Sequence, residues 1–191
     1  MTDEGRQGRA RMNVVHTDRL SLEPQVAAHA AEMFIVLSDP SIYEHENEPP
    51  ASAEELRERF GKLESRCSPD GSERWLNWII HLRSSEPIGF VQATVMADST
   101  AVIAYVLNSR YWGHGFASEA VRAMIGELAA EYCVTGLRAI LKKTNGRSFK
   151  LLERIGFRPA TELDYDQFQV EAGELLMLAD AETSDESRAR V

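Results

Sequence analysis

The residues best suited to chemistry lie in the segment 111–120, which reads YWGHGFASEA. An apolar run typical of a strand precedes this segment and apolar residues at helical spacing follow it, so Gly113 and Gly115 are predicted to form a turn at a helix N-terminus. The first amide groups of a helix have no partner within the helix and carry about half a positive charge, so they bind phosphate oxygens. Glycine also lets the backbone approach a ligand where a side chain would block it. The segment therefore predicts a phosphate site built from main-chain NH groups.

Several kinds of phosphate-binding loop contain such a turn. A Walker A loop requires a lysine directly after its last glycine, and no lysine follows here. A dinucleotide-binding fingerprint would be Gly113-x-Gly115-x-x-Ser118, but residues 108–112 separate the predicted strand from the first glycine and the pattern contains a single βαβ unit. Two interpretations stay open from the residues alone: the pyrophosphate loop of an acyl-CoA-binding fold, and a turn that only opens a helix.

Asn145 and Ser148 form a second polar pair, on the predicted turn between a strand and a short helix. Both residue types are common at helix N-termini, where Asn145 would cap the helix and Ser148 would lie in its first turn. Helix capping and ligand binding are both consistent with this pair.

The composition excludes several classes of function. The chain of 191 residues carries a formal net charge of −9, which argues against a nucleic acid as the main partner and is compatible with a cationic substrate, although many soluble proteins are simply acidic. No apolar run approaches the roughly 20 residues needed to cross a membrane, and the polar N-terminal residues do not resemble a secretory signal. Cys67 and Cys133 match no metal-site spacing and no disulfide framework. We therefore expect a cytoplasmic protein without a metal site.

The hydrophobic pattern predicts one α/β domain over residues 14–180, with flexible polar tails at 1–13 and 181–191. Ser52 and Glu55 have the spacing of a capping box, and Gly156 is predicted to end the last helix. Helices are predicted over 26–37, 52–66, 117–132 and 147–154, and strands over 19–22, 75–82, 88–96, 101–107, 137–141, 161–165 and 174–178.

Taken together, these motifs resemble the GNAT superfamily of N-acetyltransferases, and most closely its branch of ribosomal-protein N-terminal alanine acetyltransferases. The resemblance rests on Ala104–Leu107, the segment YWGHGFASEA, Asn145-Gly146-Arg147-Ser148, Glu153–Phe157 and the opening Thr17–Leu22. It implies the GNAT (acyl-CoA N-acyltransferase) fold: a mixed central sheet of about seven strands flanked by about four helices. The sheet would be splayed between its fourth and fifth strands, which are the strands that contain residues 105–108 and 137–141.

The resemblance also implies acetyl-CoA as a cosubstrate and assigns residues to it. The pyrophosphate would bind at the glycine segment, and the pantetheine arm would run along the strand backbone at Leu107 and contact Asn145. The residues implied at the segment are Trp112, Gly113, His114, Gly115, Phe116, Ala117 and Ser118. Trp112 departs from the general superfamily loop, which has Gln or Arg at this position, but tryptophan is usual in this branch.

The implied reaction is direct transfer of the acetyl group to a primary amine in a ternary complex, which requires no protein nucleophile. Many relatives carry a glutamate base and a tyrosine acid at the positions held here by Val102 and Leu152. Ser148 matches the serine of the branch and is the candidate catalytic acid. For the base, which the resemblance does not supply, the candidates are Glu162, Asp164 and His81, which would relay the proton of the amine.

The acceptor is left open by the sequence. The segment 43–48 lies where relatives shape the acceptor cleft, and its three carboxylates would attract an ammonium group, although a solvated acidic loop is the simpler explanation of them. A protein N-terminal amine and a small amine (a polyamine, an amino sugar or an antibiotic) are both candidates, for a monomer or a homodimer. Because Val102 and Leu152 replace the usual catalytic residues, a non-catalytic acyl-CoA-binding module is a further alternative.

Overall fold

The computed structural model of the chain describes residues 12–45, 48–165, 167–168 and 170–181. Over these residues eight strands form one sheet in the order β1-β2-β3-β4-β5-β6-β8-β7, accompanied by five α-helices. The strands are β1 (Val15–His16), β2 (Leu20–Pro24), β3 (Arg74–Leu82), β4 (Pro87–Val95), β5 (Thr100–Leu107), β6 (Gly136–Lys142), β7 (Arg158–Pro159) and β8 (Glu174–Asp180). The helices are α1 (Ala30–Leu37), α2 (Ala53–Leu63), α3 (Phe116–Tyr132), α4 (Gly146–Arg154) and α5 (Glu162–Tyr165).

The sheet is antiparallel except at its centre. Strands β1 to β5 form an antiparallel meander, and α3 then crosses over so that β6 lies parallel to β5. The parallel ladder holds only three pairs and ends at Val102 and Arg138, so residues 103–107 of β5 have no partner in β6. The predicted splay is therefore confirmed, at β5 and β6, and so is the GNAT fold class.

Hydrophobic cores lie on both faces of the sheet. Strand β3 contributes to both of them because its successive side chains point to opposite faces. Trp78 and Ile80 lie in the larger core, which is closed by α3 and α4. Ile79 lies in the smaller core, against Met33 of α1 and Phe60 of α2.

One predicted strand is wrong, because residues 162–165 form the helix α5. The amide and the hydroxyl of Thr161 donate hydrogen bonds to the Asp164 carboxylate, at 2.7 and 2.9 Å, and the Tyr165 amide donates to the Thr161 carbonyl at 3.1 Å. Thr161 thus caps a helical turn, and the hydrogen bond from its amide is the main reason that the pKa of Asp164 lies below its usual value. The alternation of polar and apolar residues over 161–165 hid this capping pattern.

The predicted tails lie mostly outside the described residues. Within the described part, Met12 is buried in the larger core and the carbonyl of Asn13 accepts a hydrogen bond from Trp78 Nε1 at 3.0 Å. At the other end, the Ala181 amide donates to the carbonyl of Thr135 at 2.9 Å. Among the described residues, no helix combines the length and apolar character required to cross a bilayer.

A carboxylate on α3 fastens the start of that helix to the turn between β1 and β2. Glu119 accepts hydrogen bonds from the Thr17 hydroxyl at 2.6 Å, from the Arg19 amide at 3.0 Å and from Arg19 Nε at 2.6 Å. Partial burial would raise the pKa of Glu119, but these hydrogen bonds outweigh it and hold the pKa below the ordinary value. Arg19 Nη1 also donates to the His114 carbonyl at 3.0 Å, so the same residue holds the glycine segment.

A glycine in β4 sets how closely β5 can approach. A Cβ atom at Gly89 would lie 2.0 Å from the Val106 carbonyl oxygen and 2.9 Å from the Leu107 Cα atom. The end of β5 therefore packs against β4 only because position 89 has no side chain.

We expect Gly89→Ala to lower the free energy of unfolding by about 2 kcal/mol or more, since overpacking costs about 1–3 kcal/mol even where flexible side chains give way. Denaturant unfolding followed by circular dichroism measures the change. Gly126→Ala is the matched control: its added Cβ has no atom within 4 Å, so we expect a gain of about 0.5–1 kcal/mol from helix propensity. Equal midpoints for wild type and Gly89→Ala would contradict the close approach.

We also expect Glu119→Gln to destabilise the protein at pH 7 by about 1 kcal/mol, because charge-assisted hydrogen bonds are lost. A carboxylate with a lowered folded-state pKa stabilises above its unfolded pKa, ordinarily 4.5, and this contribution disappears as the pH falls through the folded value. The difference in stability between the two proteins should therefore shrink below about pH 4.5. Glu131→Gln on the exposed surface of the same helix is the control. If the difference in unfolding free energy between wild type and Glu119→Gln did not change with pH, this role of Glu119 would be ruled out.

Candidate active site

The N-terminus of α3 is left without a cap. Gly113 and Gly115 have φ angles of +79° and +80°, and the N-cap residue Gly115 makes no side-chain capping hydrogen bond. Within the described part of the chain, the amides of residues 113–118 donate no hydrogen bond. By contrast, α2 is capped by Ser52 and α4 by Asn145. Several parallel donors at the positive end of a 17-residue helix form a site for an anion.

Aromatic and cationic side chains surround this loop. The His114 ring stacks on Phe116 with 6.0 Å between ring centroids, and its Nδ1 lies 2.8 Å from the Trp112 carbonyl, so the imidazole folds back onto the loop. Trp112 Nε1 donates to the Leu107 carbonyl at 2.9 Å, which ties the loop to the end of β5. The Arg147 guanidinium lies 4.0 Å from the centre of the Trp112 ring and places a positive charge beside the uncapped helix.

The gap between β5 and β6 exposes backbone donors. The Asn108 amide donates to the Ile88 carbonyl at 2.9 Å, and Leu107 lies opposite Gly89 in the same antiparallel register. Because hydrogen bonding alternates along an antiparallel ladder, the Leu107 amide points away from β4, towards β6. Since β6 no longer pairs with β5 at this level, that amide faces the gap.

Two cavities meet at the gap. One has a volume of about 320 Å³ and runs from the glycine segment along the end of β5 to α4. The other, of about 520 Å³, lies between the gap and α2. Four residues line both: Tyr105, Val106, Asn145 and Ser148. The two cavities therefore adjoin at these four residues.

Of the predicted residues at this junction, Asn145 and Ser148 are brought together by the start of α4. Asn145 Oδ1 accepts a hydrogen bond from the Ser148 amide at 3.0 Å, so the capping interpretation of Asn145 is correct as far as its side-chain oxygen is concerned. Its position on both cavities leaves ligand binding open as well. The Ser148 hydroxyl has no hydrogen-bond partner among the described residues and lies on both cavities.

The alternative proton relays from the sequence are not at the junction. His81 is only 6% exposed and packs against the ring of His29, with 6.1 Å between centroids, in the layer between β3 and α1. Glu162 and Asp164 belong to α5. In the described part of the chain, none of the three lines either of the two cavities.

The carboxylates that do line the larger cavity are Glu48 and Glu55, and the Arg59 guanidinium lines it as well. Glu55 accepts a hydrogen bond from the Ala51 amide at 3.2 Å, and Glu48 is exposed. The capping pattern that reveals Glu55 in the sequence says nothing of a cavity, because the cavity forms only when α2 packs over the sheet.

The predicted acceptor segment reaches the site at both of its ends. Tyr43 and Glu48 line the larger cavity. Glu44 lies 3.9 Å from Arg147, and His45 Nδ1 lies 3.1 Å from the Thr144 hydroxyl, so the segment is attached to the turn before α4. Glu46 and Asn47 lie outside the described residues.

The sequence reasoning missed Tyr105 as a site residue. Its hydroxyl lies 3.4 Å from the Ser148 carbonyl, and burial raises its pKa to about 12, with a smaller opposing effect of that hydrogen bond. The sequence does show a polar aromatic residue in the strand that leads to the glycine turn, and this could have marked Tyr105 as a candidate.

The described residues contain no group of three or more His, Cys, Asp or Glu side chains placed to hold a metal ion.

Comparisons with known proteins agree with this geometry. An uncharacterized N-acetyltransferase, p20, of Bacillus licheniformis is 26% identical over 159 residues, which cover 82% of this chain and 89% of that protein. RimL, a ribosomal L7/L12 alpha-N-protein acetyltransferase solved with coenzyme A, superposes with a TM-score of 0.75 at 14% identity and covers 90% of this chain and 100% of its own. The aminoglycoside acetyltransferase AAC(6')-Ib, also solved with coenzyme A, has a TM-score of 0.70 at 19% identity. The superposition covers 88% of this chain and 99% of that one.

At such identities the solved structures show the fold alone, and ribosomal-protein acetyltransferases are among them, as the resemblance predicts. The family is shown by sequence, because the model of the acetyltransferase (GNAT) domain matches residues 19–158. With its uncapped helix, its splayed sheet and this match, the chain belongs to the GNAT family of N-acetyltransferases.

Proposed function

We propose that this protein transfers the acetyl group of acetyl-CoA directly to a primary amine in a ternary complex. The observation that carries the proposal is the set of amides at residues 113–118, which donate no hydrogen bond in the described part of the chain and lie beside a cavity that leads to the sheet gap. A diphosphate offers the negative oxygens that such donors require. Neighbouring structures solved with CoA or acetyl-CoA support the choice of cofactor.

In the proposed complex the pyrophosphate binds the amides of residues 113–118, and Arg147 lies within reach of its charge. The pantetheine arm follows the end of β5, where the amide of Leu107 faces the gap. Asn145 contacts the arm from α4. This path brings the thioester to the junction of the two cavities.

The amine enters from the larger cavity. Glu48 and Glu55 line that cavity, together with Arg59, and the two carboxylates attract an ammonium group and accept its proton through water. The neutral amine then attacks the thioester carbonyl, and a backbone NH of β5 such as that of Leu107 stabilises the oxyanion. A thiol leaves readily because its ordinary pKa is about 8.5. The Ser148 hydroxyl, which lines both cavities, assists its departure in this proposal.

The carboxylates of this cavity indicate only the class of the acceptor, which is a primary amine that is cationic in solution. Protein N-terminal amines and small amines both meet this requirement. A non-catalytic acyl-CoA-binding module is the second candidate, motivated by Val102 and by Leu152, which is 1% exposed and apolar. The larger cavity favours the enzyme, since a module that only binds acyl-CoA needs no second compartment at the junction.

Calorimetry with CoA and acetyl-CoA, followed by a thiol-release assay with peptides, polyamines and aminoglycosides, tests the proposal. We expect binding of CoA that weakens when free pyrophosphate competes, and acetyl transfer to at least one class of amine. Absence of CoA binding would refute the proposal, and binding without transfer to any amine would favour the module.

We expect Ser148→Ala to lower kcat about 10- to 100-fold, because a hydrogen bond to a developing charge is worth about 1.5–3 kcal/mol. The dissociation constant of acetyl-CoA, measured by calorimetry, should change less than about threefold, since one neutral hydroxyl contributes little to the ground-state complex. Unchanged turnover would remove Ser148 from the mechanism. A parallel loss of acetyl-CoA affinity would instead assign it to cofactor binding.

A further inference from the structure

Tyr105 occupies the junction from the side of the strand. It lies three residues beyond Val102, the last residue of β5 that pairs with β6, and it lines both cavities. Ile103 and Leu107, which share its face of the strand, belong to the core beneath α3 and α4. The phenol therefore points towards α4, whose first turn carries Ser148.

The hydroxyl of Tyr105 is only weakly engaged. Its oxygen lies 3.4 Å from the Ser148 carbonyl oxygen, whereas a strong O–H···O bond is about 2.7–2.8 Å long. By comparison, the Tyr43 hydroxyl, which reaches the same larger cavity, donates to the Leu37 carbonyl at 2.8 Å. The Tyr105 hydroxyl is thus the phenol at the junction that can turn to a ligand at little cost.

The protonation of Tyr105 decides what it can do. With its pKa raised to about 12 by burial, the phenol carries its proton at neutral pH. A thiolate with an ordinary pKa of about 8.5 is a weaker base than this tyrosinate, so the proton stays on oxygen. The side chain is suited to donate a hydrogen bond to a thiolate and not to transfer its proton.

We propose that Tyr105 is a further catalytic residue of the proposed reaction, whose hydroxyl donates a hydrogen bond to the sulfur of CoA while the carbon–sulfur bond breaks. The inference rests on the proposed function. Leu152, a turn further along α4, is buried and apolar and cannot supply such a donor. The Ser148 hydroxyl approaches from α4, and Tyr105 adds a second donor from the strand.

The step balances without a further reactant. The amine lone pair forms the carbon–nitrogen bond and the carbonyl electrons move to oxygen. On collapse the carbonyl reforms and the electron pair of the carbon–sulfur bond goes to sulfur. The ammonium proton leaves through water, the thiolate takes a proton from solvent, and the Tyr105 proton never leaves its oxygen.

Tyr105→Phe removes the hydroxyl alone. We expect kcat to fall about 10- to 100-fold, with the dissociation constant of acetyl-CoA and the KM of the amine nearly unchanged. Tyr132→Phe, at the far end of α3, is the matched control and should retain wild-type turnover. An unchanged kcat in Tyr105→Phe, or a loss of acetyl-CoA affinity as large as the loss of turnover, would overturn the assignment.

A second measurement does not depend on turnover. The ultraviolet absorbance of the thiolate gives the pKa of the thiol in bound CoA, which the Tyr105 hydroxyl should lower; Tyr105→Phe should raise it by about 1 or more. If Tyr105→Phe does not fold, 3-fluorotyrosine at position 105 keeps the shape and strengthens the donor, so it should lower that pKa below the wild-type value. Equal thiol pKa values in the proteins compared would refute the role of Tyr105. A protein that acetylates no amine but shows the shift would refute the proposed function and leave the contact between Tyr105 and sulfur standing.

Discussion

The early separation of β5 from β6 is the constraint on which the site depends. Three parallel pairs hold the two strands together, and beyond Val102 they part. Gly89 lets the end of β5 lie tightly against β4, and the hydrogen bond from Trp112 to the Leu107 carbonyl draws that end towards the glycine segment. Were the ladder to continue, the amide of Leu107 would be paired within the sheet. The two cavities would then have no common wall.

The electrostatic character of the site changes across this gap. On one side, backbone amides at a helix N-terminus and the Arg147 guanidinium offer positive charge to a ligand rich in phosphate. On the other side, two carboxylates, Glu48 and Glu55, and one guanidinium, Arg59, line the larger cavity of a chain with a net charge of −9. Between them stand neutral donors, the hydroxyls of Tyr105 and Ser148. In the proposed reaction, this arrangement would separate an anionic cofactor from a cationic acceptor and leave the reacting atoms among uncharged groups.

The elements that sequence predicts well are those whose signal is local. The amphipathic stripe of α3, the glycines before it and the cap at Ser52 each depend on residues within one or two turns, and all are found where predicted. The segment 161–165 shows the limit of this reasoning, since alternating residues hid the cap that Thr161 and Asp164 form. The splay was available only through the resemblance, because it depends on strand pairs that lie far apart in the chain.

Side-chain roles at the site were harder to predict for the same reason. Glu162, Asp164 and His81 were plausible proton relays as residue types, but packing places them away from the cavities. In the sequence, Tyr105 is an aromatic residue in a strand like several others. Its hydroxyl lies beside the two cavities only because β6 diverges from β5. The importance of Gly89 likewise depends on the carbonyl of Val106, 17 positions later in the chain.

The uncapped start of α3 has a thermodynamic consequence for the whole protein. Donors that are left without partners forgo stabilisation that a cap would have supplied, typically about 1 kcal/mol. A ligand that satisfies them binds the folded chain and not the unfolded one, so its free energy of binding adds to that of folding. At a free concentration one hundred times the dissociation constant, this linkage amounts to about 2.7 kcal/mol. The melting temperature of the protein would thus report the supply of such a ligand.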